Sequence, residues 1–192
     1  MGTDFRLDIA ALHHAVNNAC LNYDIWWVYK SKKYRPKYVG TMNRYLEFFS
    51  TSLHAHFVAL LVALYPLYET RRDTFNIPRL LKLLAKEDAI SKPVLNNATQ
   101  LYDEAKHLWL KVCILRNEVF AHFSESSSVE QIFKKADMTP NELKRLLELT
   151  KRLLNTVTRA LDGSVHAFNL GASEATIRVL EDLASRHRGT SV

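Results

Sequence analysis

Five glycines and five prolines in 192 residues leave this chain few places to turn. An all-β protein needs turn residues every eight to twelve positions or so, and that supply is missing here. The glycines at 2, 40, 163, 171 and 189 also stand singly, so neither a dinucleotide-binding G-x-G-x-x-G nor a phosphate loop can be written. A hydrophobic share of 47% supports a packed core. Long stretches free of breakers, in an apolar-rich chain, point to helices.

The apolar periodicity agrees. Leu7, Leu12, Val16, Ala19, Cys20, Tyr23, Trp26 and Trp27 form a near-helical stripe, which predicts a first helix from about Asp4 to Lys30. Asp4 and Asp8 sit at its start, where the helix dipole favours acids. The segment KSKKYRPKYVG then reads as a loop, because it holds five cations, a Pro and a Gly. A second helix is predicted from Thr41 to Tyr65, with Leu46, Phe49, Leu53, Phe57, Leu60, Leu61 and Leu64 on its apolar face and Pro66 ending or kinking it. A short helix PRLLKLLAK follows Asn76-Ile77-Pro78, and Ser91-Lys92-Pro93 opens a long one. A single turn or so of helix is expected over Val129 to Lys135. Thr139-Pro140-Asn141-Glu142 is a capping box, and Gly163 fits the C′ position of the helix it opens. Ser173 starts the last helix, which frays near Arg186. The expected fold is all-α, an up-and-down bundle of four long helices plus two or three short ones, in a single domain over residues 1–192.

Cys20 and Cys113 are too few for a disulfide framework, and MGTDFRLD has no apolar signal region, so a cytoplasmic location is expected. The longest apolar run, Phe57 to Leu67, falls short of the roughly 20 residues of a membrane span, and no membrane association is expected. His54 and His56 point to different sides of a helix, as do His13 and His14, and no H-E-x-x-H occurs. No metal site and no cofactor is expected.

One segment looks chemical. Leu108 to Phe123, LWLKVCILRNEVFAHF, is apolar nearly all round, which predicts a helix buried at the centre of the bundle. Arg116 and His122 interrupt its apolar stripes. An Arg in such a position is seldom buried unpaired, so one reading has Arg116 meeting a carboxylate and His122 bonded to Glu118. A catalytic reading is equally writable: His has the pKa for proton transfer near neutral pH, and Arg has a planar fork that fits phosphate.

Arg116-Asn117-Glu118-Val119-Phe120-Ala121-His122 resembles the signature of the HEPN superfamily, an Arg, then a polar residue, with four to six residues between the Arg and a His and five of them here. With Asn after the Arg and Ala before the His, it is most similar to the AbiU-type abortive-infection branch. The resemblance extends more weakly over Tyr45 to His122. Two other Arg…His pairs of similar spacing, Arg6…His13 and Arg159…His166, lack the polar residue after the Arg.

The resemblance implies a metal-independent endoribonuclease of toxin or defence type, leaving a 2′,3′-cyclic phosphate. Arg116 and His122 would be its catalytic residues, with Asn117 in support. It further implies a homodimer, RNA as substrate and an antitoxin protein as partner. Six residues along one helix separate Arg116 and His122 by about 9 Å of rise and about 120°. Two chains, or a helix ending near Ala121, would therefore be needed to bring both to one phosphate. Phe123-Ser124 follow the His where related sequences often carry charged residues, which leaves open a second reading: a non-catalytic HEPN-like module binding RNA, a nucleotide or a partner protein. The net charge of +6 suits a polyanion. Lys30, Lys32, Lys33, Arg35 and Lys37, interleaved with tyrosines, are candidate RNA contacts.

Overall fold

The computed structural model describes residues 5–71, 73–121 and 129–188. Among them are eight helices and no strand: α1 (Arg6–Lys30), α2 (Arg35–Arg44), α3 (Leu46–Tyr68), α4 (Ile77–Lys86), α5 (Lys92–Ala121), α6 (Val129–Lys135), α7 (Pro140–Asp162) and α8 (Ala172–Arg188). The four longest close an up-and-down bundle, each packed on the next: α1 on α3, α3 on α5, α5 on α7 and α7 back on α1. Side-chain pairs fix the antiparallel sense. Trp26 stacks on Phe57 while Tyr29 meets Phe49. Tyr68 stacks on Tyr102 while Trp109 lies against Tyr65. Lys111 pairs with Glu142, and Arg145 with Glu104.

Local signals explain several boundaries. Thr139 and Glu142 form the full reciprocal capping box at the start of α7, and Gly163 ends that helix in the left-handed region at φ 78°. Asn76 caps α4, its Oδ1 accepting from the Arg79 amide at 2.9 Å. Pro66 does not end α3. It lies in the last turn, and the helix continues to Tyr68.

The core is aliphatic, with Leu60, Leu61 and Leu64 of α3, Leu115 of α5 and Leu146 and Leu153 of α7 fully enclosed, around Trp26, Phe57 and Phe133. It also seats one polar pair. The Thr150 hydroxyl donates to the Leu146 carbonyl at 2.7 Å, so Tyr68 is the donor in its 2.6 Å bond to Thr150. By length and composition α3 is also long and apolar enough to cross a membrane; here it is packed between α1 and α5.

The expected loop over Lys30 to Tyr38 is corrected. Only 31–34 form a turn, and α2 begins at Arg35. Pro36 falls at the start of the helix, where its missing N–H costs nothing. Gly40 is an exposed mid-helix glycine with nothing within 4 Å of a would-be Cβ. Both residues read as breakers, and neither breaks anything.

The segment 163–171 is pinned to α1 by aromatic stacking. The rings of His13 and His166 lie 4.6 Å apart, and Phe168 meets both edge-on. Asn155 clamps the His166 backbone at both its amide and its carbonyl.

Two outcomes are expected. Gly40→Ala should stabilise the protein by about 0.5–1 kcal/mol by trimming unfolded-chain entropy, seen as a higher denaturant midpoint; a lower midpoint would contradict a free mid-helix position. Burial, and then the neighbouring His166, push the His13 imidazole below its ordinary value, with Asp162 opposing. The unfolded chain therefore takes up a proton at higher pH than the folded one. The stability held above about pH 6.5 is lost as the pH falls. His13→Phe keeps the stack and should flatten the fall in Tm between pH 7 and pH 5; an unchanged slope would contradict the role of His13.

Candidate functional site

The C-terminal half of α5 sorts its residues by the helical period. Val112, Leu115 and Val119 enter the core, at 0%, 0% and 7% exposure. On the other side Leu110, Ile114 and Phe120 are 50%, 43% and 45% exposed. The expectation of a helix buried all round is thus corrected: α3 and α7 cover one side of α5, and the opposite side is open. Asn117 lies on that open side and is exposed, while Arg116 is half-buried at its edge.

Arg116 does not interrupt the core and meets no carboxylate among the described residues. Its guanidinium carbon sits 4.3 Å from the ring centroid of Tyr65, in the last turns of α3, and 5.4 Å from that of Phe120, one turn on along α5. The Tyr65 carbonyl in turn accepts from Trp109 Nε1 at 3.0 Å, which fixes α3 to α5 at this level. A guanidinium laid on an aromatic face is steadied through its π surface. Its N–H donors lie in its own plane and keep their fork geometry for a phosphate or carboxylate.

Glu118 is held from the other side of the helix. Lys135 of α6 donates to it at 2.7 Å, and its side chain is only 15% exposed. His122 lies outside the described residues, so the expected Glu118–His122 contact does too, as do Phe123 and Ser124.

Cys113 is half-buried, one turn before Arg116. Burial pushes its thiol upward, and Arg116 pulls the other way more weakly. It is therefore a protonated thiol near neutral pH and no nucleophile.

The basic candidates separate into two groups. Lys30, the last residue of α1, pairs with Glu130 of α6. Lys37 donates to Glu181 of α8 at 3.0 Å, and the Tyr38 hydroxyl donates to the same oxygen. These two cations hold helices together. Lys32, Lys33 and Arg35 are exposed and have no ion-pair partner among the described residues. Lys33 lies 4.8 Å over the Tyr34 ring. Among the described residues no group of three or more His, Cys, Asp and Glu side chains converges.

Tyr65 and Lys135 were not legible as site residues. Tyr65 is far from Arg116 in the chain, and no local signal announces a cross-helix platform. Phe120, four residues after Arg116, could have been read as its neighbour on one helical face.

The family model described as AbiU2, of HEPN type, matches residues 7–183. The chain belongs to the HEPN AbiU2 family. The match takes in nearly every helix of the bundle, and the RNEVFAH segment falls well inside it. No curated protein and no solved structure matches the chain.

The Cys113 assignment can be checked without any activity. Alkylation by iodoacetamide should be slow at pH 7.5 and still be rising above pH 9, and Arg116→Ala should slow it further by removing the cation that lowers the thiol. A rate already level below pH 8 would contradict the enclosed thiol.

Proposed function

We propose that this HEPN AbiU2 chain is a metal-independent endoribonuclease, a cytoplasmic toxin or defence enzyme that cuts RNA through Arg116 and His122. One observation carries the reading. Among the described residues Arg116 is steadied on Tyr65 and meets no carboxylate, at the edge of an open helix side that also presents Asn117.

The chemistry follows from the residue types. RNA carries its own nucleophile, the 2′-hydroxyl. His122 removes the proton as that oxygen attacks the adjacent phosphorus. Arg116 lends its fork and permanent charge to the phosphorane oxygens, where negative charge grows in the transition state. A protonated His122 gives the departing 5′-oxygen its proton, and the products carry a 2′,3′-cyclic phosphate and a 5′-hydroxyl. Asn117 supports the phosphate from the next position.

A homodimer supplies the geometry that one helix lacks. Leu110, Ile114 and Phe120 of α5, with Val62 of α3 at 51% exposure, form an apolar surface around the motif. A two-fold axis there would bury these side chains and bring two Arg116–His122 sets to one cleft.

The purified protein is expected to cut RNA in excess EDTA. Arg116→Ala and His122→Ala should each lower the rate by at least about a hundredfold, in line with the loss of one general acid–base or electrostatic group. Mixing the two variants and letting subunits exchange should restore part of the activity if the cleft draws on both chains. Cleavage that survives both substitutions would overturn the assignment. RNA bound but never cut would leave a binding module.

A further inference from the structure

We infer that the concavity between α2 and α3 is a nucleobase pocket, which holds one base of a single-stranded RNA. The inference rests on the ribonuclease reading for the identity of the polyanion and on the following observations for the place.

A cavity of about 120 Å³ opens beside the N-terminal turns of α3. Its walls include Tyr29, Met42 and Leu46 as apolar surface and Arg35, Asn43 and Ser50 as polar groups. An apolar cavity of about 150 Å³ admits a single benzene ring, so this smaller, open concavity seats at most one six-membered ring, inserted from its open side. Apolar walls with a few convergent donors and acceptors are what an unstacked base meets in single-strand RNA recognition.

The surroundings fit the backbone of such a strand. Residues 31–46 carry Lys32, Lys33, Arg35, Lys37 and Arg44 and no acid, Glu47 being the first carboxylate. Lys37 is committed to Glu181. The other four cations are exposed and have no ion-pair partner among the described residues. Next to the cavity, Tyr45 presents its ring at 37% exposure, a surface on which a flanking base can stack. An aromatic ring beside the cations favours RNA over an acidic peptide, which would use the cations but not the ring face.

The test uses the full chain and a fluorescein-labelled 2′-O-methyl RNA of twelve nucleotides, which lacks the nucleophile and so stays whole. Arg35→Ala and Ser50→Trp, both at exposed positions, should weaken its binding at least fivefold, whereas Lys82→Ala, the same charge lost on α4, should change it less than twofold. Where Ser50→Trp lowers the Tm, Asn43→Ala replaces it. Equal affinity of the wild type, Arg35→Ala and Ser50→Trp for the twelve-mer overturns the pocket even if RNA is cut. Pocket-dependent binding with no cleavage of any RNA upholds the pocket and overturns the ribonuclease reading. Displacement of the RNA by poly-glutamate at equal charge concentration assigns the surface to an acidic protein segment and overturns the nucleobase assignment.

Discussion

Burial of Val112, Leu115 and Val119 between α3 and α7 is the constraint on which the site depends. Those three side chains set the rotation of α5. Once they are inside, the helical period leaves no freedom for the rest: Asn117 must face out, Arg116 must lie at the edge, and Leu110, Ile114 and Phe120 must remain uncovered. The edge position places the guanidinium against Tyr65, at the end of α3, where a ring and not a carboxylate receives it. Core packing thereby delivers a cation that is steadied on a ring and meets no carboxylate among the described residues. A carboxylate in place of Tyr65 would hold Arg116 as firmly and spend its donors.

The surrounding ion pairs support the same arrangement. Short α6 is tied at both ends, Glu130 to Lys30 of α1 and Lys135 to Glu118 of α5. It thus links the basic end of α1 to the motif helix. Exposed pairs of this kind contribute little to stability, although Glu118 itself is mostly enclosed. On the far side, Lys37 and Tyr38 join α2 to α8 through Glu181. Hence the basic run divides into cations that build the fold and exposed cations with no ion-pair partner among the described residues.

Much of the fold was legible because its signals are local. The capping box at Thr139, the left-handed glycine at 163 and the apolar stripes of α1, α3 and α7 each depend on residues a few positions apart. The RNEVFAH segment was legible for the same reason, and the family match over residues 7–183 agrees with it. Where sequence reasoning went astray, the deciding factor was tertiary or positional. Pro36 and Gly40 carry the chemistry of breakers, yet a proline in the first turn starts a helix and an exposed glycine only weakens one. The composition of α5 suggested full enclosure, because an apolar side chain left uncovered has the same letter as one that is buried. The partner of Arg116 comes from another helix and has no signature of its own.

The central claim is that an Arg–His pair on this bundle directs the RNA's own 2′-hydroxyl at the neighbouring phosphate. End-group analysis of RNA incubated with the purified protein in EDTA tests it most directly. The account predicts fragments ending in a 2′,3′-cyclic phosphate and beginning with a 5′-hydroxyl. Fragments with a 3′-hydroxyl and a 5′-phosphate, or RNA left intact, would contradict it.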